Sequence, residues 1–149
     1  MINLSSTTPA APSNNQNVTW QKSGTDVSAY VLKQIFDLYC YLAGKPGAGA
    51  VVFRHIFART VAFGEDFLGS KCSYDSGPTD PAVYEIQQNG ATIGTLTLDN
   101  DTSETVTFLY TATDSPPTFV EDDVLTLVAP DPQDATLEGV AITFAGVIE

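Results

Sequence analysis

The sequence predicts an all-β fold, an antiparallel β-sandwich of jelly-roll type with about eight strands behind an extended N-terminal arm. Three observations carry this. An Asn-Gly hairpin signal sits past the middle of the chain, short alternating runs are separated by turn residues, and no segment demands a helix. The arm is expected over residues 1–17 and a single sandwich domain over 18–149.

The hairpin is VYEIQQNGATIGTLTL, Val83 to Leu98. Asn89 and Gly90 both accept the positive φ that a tight type I′ turn requires. A strict two-residue turn places Ile86 opposite Ile93 and Tyr84 opposite Thr95, with Leu96 and Leu98 on the wrong face. A bulge near Gly94 would restore all the apolar groups to one face.

The chain opens with MINLSSTTPAAPSNNQN, which carries no charged side chain and two helix-breaking prolines, Pro9 and Pro12. Its apolar content is too low for a core, so it is expected to gain order by lying on a neighbouring copy or another protein, with packing back on its own domain as the alternative. Val18–Gln21 reads as a short strand whose Trp20, the sole tryptophan, anchors the base of the arm. Val27–Val31 reads as another short extended piece. Leu32–Leu42 fits a helical stripe (Leu32, Ile35, Phe36, Tyr39, Leu42) and a strand (Phe36, Leu38, Cys40, Leu42); its aromatic density favours the strand. Gly44–Gly49 is a loop. Val51–Phe63 alternates throughout and reads as one long central or interface strand, with Val51, Phe53, His55, Phe57, Arg59, Val61 and Phe63 on one side. Gly64–Pro81 reads as loop, plugged by Phe67 and Leu68. Strands are expected at Glu104–Ala112 and Val124–Ala129, and Thr136–Ile148 supplies the closing strand or strands.

The charge is lopsided. The formal net charge is −12, yet residues 1–71 hold all six basic residues against four acids, and residues 72–149 hold fourteen acids and no Lys or Arg. Nucleic-acid binding needs clustered cations, and an anionic membrane surface does too, so neither is an expected partner. The acid-rich half reads as a solvated face, or as a docking face for a basic partner. No apolar run approaches a membrane span, and the N-terminus has no basic start or apolar h-region, so assembly in a cytoplasm is expected.

Catalytic patterns are sparse. Gly44-Lys45-Pro46-Gly47 has its Lys before the glycines rather than after them, so it is no phosphate loop. His55 is the single histidine, and one histidine among aromatics reads as a packed, hydrogen-bonded residue. Asp99, Asp101 and Ser103 match the start of an EF-hand loop, but Glu104 stands where Gly is needed and Tyr110 where Glu is. The Glu121-Asp122-Asp123 triplet reads as a solvated turn. Cys40 and Cys72 are too few for a zinc site and read as buried free thiols, with one disulfide as the alternative. No enzyme, cofactor or metal is expected.

Two stretches look familiar. NLSSTTPAAPSNNQNVTWQKSGTDVSAYV, residues 3–31, resembles a leader of tailed-bacteriophage virion proteins. From Tyr41 to Gly146, YLAGKPGAGAVVFRHIFART, FLGSK, YEIQQNGATIGTLTL and DVLTLVAPDPQDATLEGVAITFAG are similar to a small β-sandwich module of phage structural genes. Its recurring patterns are IQ-x-NG-x-x-IGT and AP-x-x-x-DATL; the acid-rich turns at 99–104 and 114–123 depart from it. The resemblance implies a non-enzymatic virion structural protein. A capsid decoration or cement protein is the leading expectation, because one small domain does not build a long fibre. A tail- or fibre-associated adaptor or receptor-binding module is the alternative. Expected partners are the major capsid protein or a tail component, with self-association into a homo-oligomer, a trimer by analogy. The contact residues expected are Leu4, Pro9, Pro12 and Trp20, with Arg54 and Arg59 as interface charges.

Overall fold

The computed structural model describes residues 33–100, 106–111 and 115–149. The arm with Leu4, Pro9 and Pro12, the pieces at Val18–Gln21 and Val27–Val31, Trp20 and most of the EF-hand-like turn lie outside the described residues.

Among the described residues ten strands follow in order: β1 Gln34–Leu42, β2 Val51–Ile56, β3 Val61–Phe63, β4 Lys71–Ser73, β5 Ala82–Gln88, β6 Ala91–Leu98, β7 Val106–Tyr110, β8 Thr118–Phe119, β9 Val124–Val128 and β10 Val140–Ile148. They form two antiparallel sheets of five strands. The first runs β1-β10-β3-β8, with β4 sharing the second edge of β10; the second runs β2-β9-β5-β6-β7. The pairing is nested. β5 pairs with β6, β3 with β8, β2 with β9 and β1 with β10, and successive pairs fall in alternate sheets. That is a two-stranded ribbon rolled into a sandwich, the jelly roll, with β4 and β7 as additions to its eight principal strands.

The β5–β6 hairpin forms as its residues dictate. Asn89 and Gly90 take φ of 52° and 84°. Gln87 pairs with Thr92 and Ile86 with Gly94, so Ile93 is the extra residue of a bulge. Leu96 therefore lies opposite Tyr84 and Leu98 opposite Ala82, and all four are buried. In β1 the strand reading prevails over the helical one: Leu38, Cys40 and Leu42 are buried and Phe36 half-buried, whereas Ile35 and Tyr39 face outward.

Two sequence expectations are corrected. Val51–Phe63 is not one strand: β2 and β3 belong to different sheets, and the chain crosses between them at residues 57–60. The alternation survives the crossing because both sheets turn the same parity toward one core, so Phe53, His55 and Phe57 point inward before it and Val61 and Phe63 after it. Arg59 has inward parity yet is exposed at the corner. At that corner the Phe57 N–H donates to the Asp123 carbonyl (2.9 Å) and the Phe57 carbonyl accepts from Asp122 N–H (2.8 Å), replacing ladder bonds. Residues 64–81 are not simply loop either. They contain a 3-10 turn at Glu65–Phe67 and strand β4, and only half of the expected plug is real: Phe67 is buried and Leu68 is 79% exposed.

The core is aromatic at one end. Phe57 stacks on Phe119 (4.6 Å between centroids), and Phe63, Phe67 and Phe144 meet one another edge-on or tilted at 5.6–6.4 Å. Such pairs contribute about 0.5–1.5 kcal/mol each beyond the area they bury.

Candidate functional site

The motif residues that drew attention in the sequence turn out to hold the frame. Asp134, in the DATL pattern, accepts hydrogen bonds from Thr79 N–H (2.9 Å) and hydroxyl (2.8 Å), Thr136 N–H (2.8 Å) and hydroxyl (2.9 Å), and Leu137 N–H (3.0 Å). This ties the lead into β5 to the lead into β10. Partial burial opposes its charge, but the Thr136 and Thr79 donors outweigh it and hold the carboxyl well below the usual carboxylate range.

Asp123 does the same for the Asn-Gly turn. Its carboxylate accepts from Asn89 Nδ2 (2.6 Å), Gln88 Nε2 (2.7 Å) and Val120 N–H (2.9 Å), while Val124 N–H donates to Asn89 Oδ1 (2.9 Å). The Asn89 and Val120 donors lower its pKa, against a smaller opposing effect of burial. The acidic triplet is thus more than a solvated turn: its last member clamps the β8–β9 turn onto the hairpin. No local signal shows this, because the partners lie 34 and 35 residues away.

Beside Asp134 lies a groove of about 390 Å³, lined by residues 79–83 and 130–135, with Asp80 and Asp131 on its walls. Its acidic lining is suited to a cationic group. Among the described residues no three His, Cys, Asp or Glu side chains converge as metal ligands.

The expected contact residues fall as follows. Arg54 is exposed on β2 and Arg59 at the sheet crossing. The ion pairs among the described residues are Lys33–Glu149 (3.3 Å) and Lys45–Glu138 (3.4 Å), so neither arginine meets a described carboxylate. Leu4, Pro9, Pro12 and Trp20 lie outside the described residues. His55 packs edge-on against Phe57 (4.8 Å) and near Phe36 (6.1 Å), and this burial lowers its pKa.

Cys40 and Cys72 are free, the first buried and the second half-buried. Both pair with Ile142, from opposite sides of β10. Two strand spacings separate their backbones by about 9–10 Å, too far for a disulfide. Burial pushes the thiols up to about 11 and about 12 respectively, so neither is a poised nucleophile. Across the core, the fully buried Tyr84 hydroxyl has no hydrogen-bond partner among the described residues.

Comparison with family models, with curated proteins and with solved structures finds no match to this chain. Among the described residues no helix is long and apolar enough to cross a membrane.

Proposed function

We propose that this chain is a structural protein of a tailed-bacteriophage virion, most specifically a capsid decoration or cement protein that lends area between neighbouring shell subunits. The observation that supports the reading most is where the phage-like patterns fall. IQ-x-NG-x-x-IGT is the β5–β6 hairpin with its turn and bulge, and DATL is the Asp134 tie between the leads into β5 and β10. The resemblance therefore lies on residues that hold a jelly roll together, and a rigid brick is what a cement protein must supply. The uncharged leading segment is the tether in this reading, with Leu4, Pro9, Pro12 and Trp20 as contacts, and Arg54 and Arg59, which pair with no described carboxylate, would meet acidic groups on the shell.

Deleting residues 2–17 tests it. The truncated chain should keep the circular dichroism and melting temperature of the full chain while losing saturable loading onto particles that lack it. Normal loading of a folded truncation would overturn the tether.

A further inference from the structure

We propose that Asn89 is a modification site: a spontaneous deamidation site that the Asp123 clamp holds in check, and whose conversion frees the β8–β9 turn irreversibly. The inference does not rest on the virion reading. Asn89 is the one asparagine of the chain that precedes a glycine. In such a pair the glycine N–H can lose its proton, and its nitrogen attacks the side-chain carbonyl carbon of the asparagine. The new N–Cγ bond closes a succinimide ring, the Cγ–Nδ2 bond breaks, and the amide nitrogen leaves as ammonia with the proton. Water then opens the ring at either carbonyl. One product is aspartate; the other is isoaspartate, whose main chain runs through Cγ and is one carbon longer. No co-reactant other than water enters.

Nothing crowds the reacting atoms. Asn89 and Gly90 are both exposed at the hairpin tip, and even a Cβ placed on Gly90 would touch nothing within 4 Å. What restrains the reaction is the clamp. Asn89 Nδ2 donates to the Asp123 carboxylate (2.6 Å) and Oδ1 accepts from Val124 N–H (2.9 Å), so the carboxamide is held at both ends. The Asn89 N–H donates to the Val124 carbonyl (2.9 Å) as well. Closing the ring pulls Cγ onto the Gly90 nitrogen and away from these partners. The Asp123 charge, kept on by its donors Asn89 and Val120, also opposes the negative charge that builds on the closing ring.

The product turns the tie into a repulsion. A carboxylate at position 89 offers Asp123 no donor and sets two negative charges where a charge-assisted hydrogen bond stood. The turn so freed carries the Asp122 and Asp123 backbone bonds to Phe57, and it follows Phe119, which stacks on Phe57. Conversion at the hairpin tip therefore reaches the aromatic end of the core. The chain loosens with age, faster in alkaline solution, where the Gly90 N–H is more readily deprotonated.

Ageing the full chain in mildly alkaline buffer tests this, with peptide mass mapping that separates aspartate from isoaspartate at position 89. The folded chain should convert at least about tenfold more slowly than the same chain in urea, because charge-assisted bonding is lost on the way. Asp123→Asn, which removes the charge, should speed conversion of the folded chain about tenfold. Asn89→Asp stands in for the product and should melt below the parent chain. Combining Asn89→Asp with Asp123→Asn restores a donor facing a carboxylate and should recover most of that loss. If Asp123→Asn alone does not fold, the urea comparison and the melting of Asn89→Asp decide. Equal rates in the folded and unfolded chain, a slower or unchanged rate in a folded Asp123→Asn, an Asn89→Asp chain that melts like the parent, or a double variant no more stable than Asn89→Asp would overturn the proposal.

Discussion

Tyr84 places a phenol oxygen between two sheets where no described group receives its proton. A buried hydroxyl without a partner costs about 1–3 kcal/mol, whereas its ring contributes core area regardless. Tyr84→Phe should therefore leave stability unchanged or raise it by about 1 kcal/mol in urea unfolding. A loss of 2 kcal/mol or more would show that the hydroxyl is bonded after all. The two aspartates are the opposite case. Asp123 and Asp134 have more donors than a surface carboxylate commonly finds, and Thr79, Gln88 and Asn89 among those donors lie 34 to 55 residues away. Read alone, their surroundings are Asp-rich turns, and turn was the reading the sequence supported. What the turns do is decided by Thr79, Gln88 and Asn89, and only the fold brings those close.

At the scale of elements, the β5–β6 hairpin shows what a sequence states locally. Positive φ at Asn89-Gly90 and a bulge next to Gly94 follow from residue types within a few positions of each other. The crossing at residues 57–60 shows the converse. A period of two reports which side faces a core, not which sheet supplies the strand, so β2 and β3 read as one. Arg59 at an inward parity was the one local sign of a corner. β4 and β8 are shorter than any periodicity test resolves. Gly94 also carries a constraint invisible in one dimension: a Cβ there would overlap the Leu109 carbonyl of β7 and press on the Phe67 ring at 3.4 Å. Gly94→Ala should accordingly cost about 2–3 kcal/mol in urea unfolding, through loss of the β6–β7 register. A cost below 0.5 kcal/mol would mean that β7 yields easily.

For the whole molecule, the perturbed groups define a window of stability. His55 has its pKa lowered by burial, so the unfolded chain takes up a proton first as pH falls below about 6.5. That contribution is intact above about 6.5 and lost as pH falls through the lowered folded value. Asp123 and Asp134 are also depressed; their contribution is intact above about 3.9 and lost as pH falls through their folded values. Cys40 and Cys72 are raised, so theirs is present below the ordinary thiol value of about 8.5 and lost as pH rises toward 11 and 12. Melting temperature should plateau between about pH 6.5 and 8.5, decline gently on the acid side, and drop steeply below about pH 4. A maximum near the sequence pI of about 4.1 would contradict these assignments.

The fold class, the hairpin and the open loops were legible because each rests on neighbours in sequence. The sheet crossing and the aspartate ties were not, because each depends on partners that only the rolled ribbon assembles. What joins these scales is a jelly roll, which we propose serves as a building piece of a virus head. Gold labelling of an epitope-tagged chain on assembled particles tests that most directly. The account predicts many gold particles distributed over the head; label confined to the tail, or no label on intact particles, would contradict it.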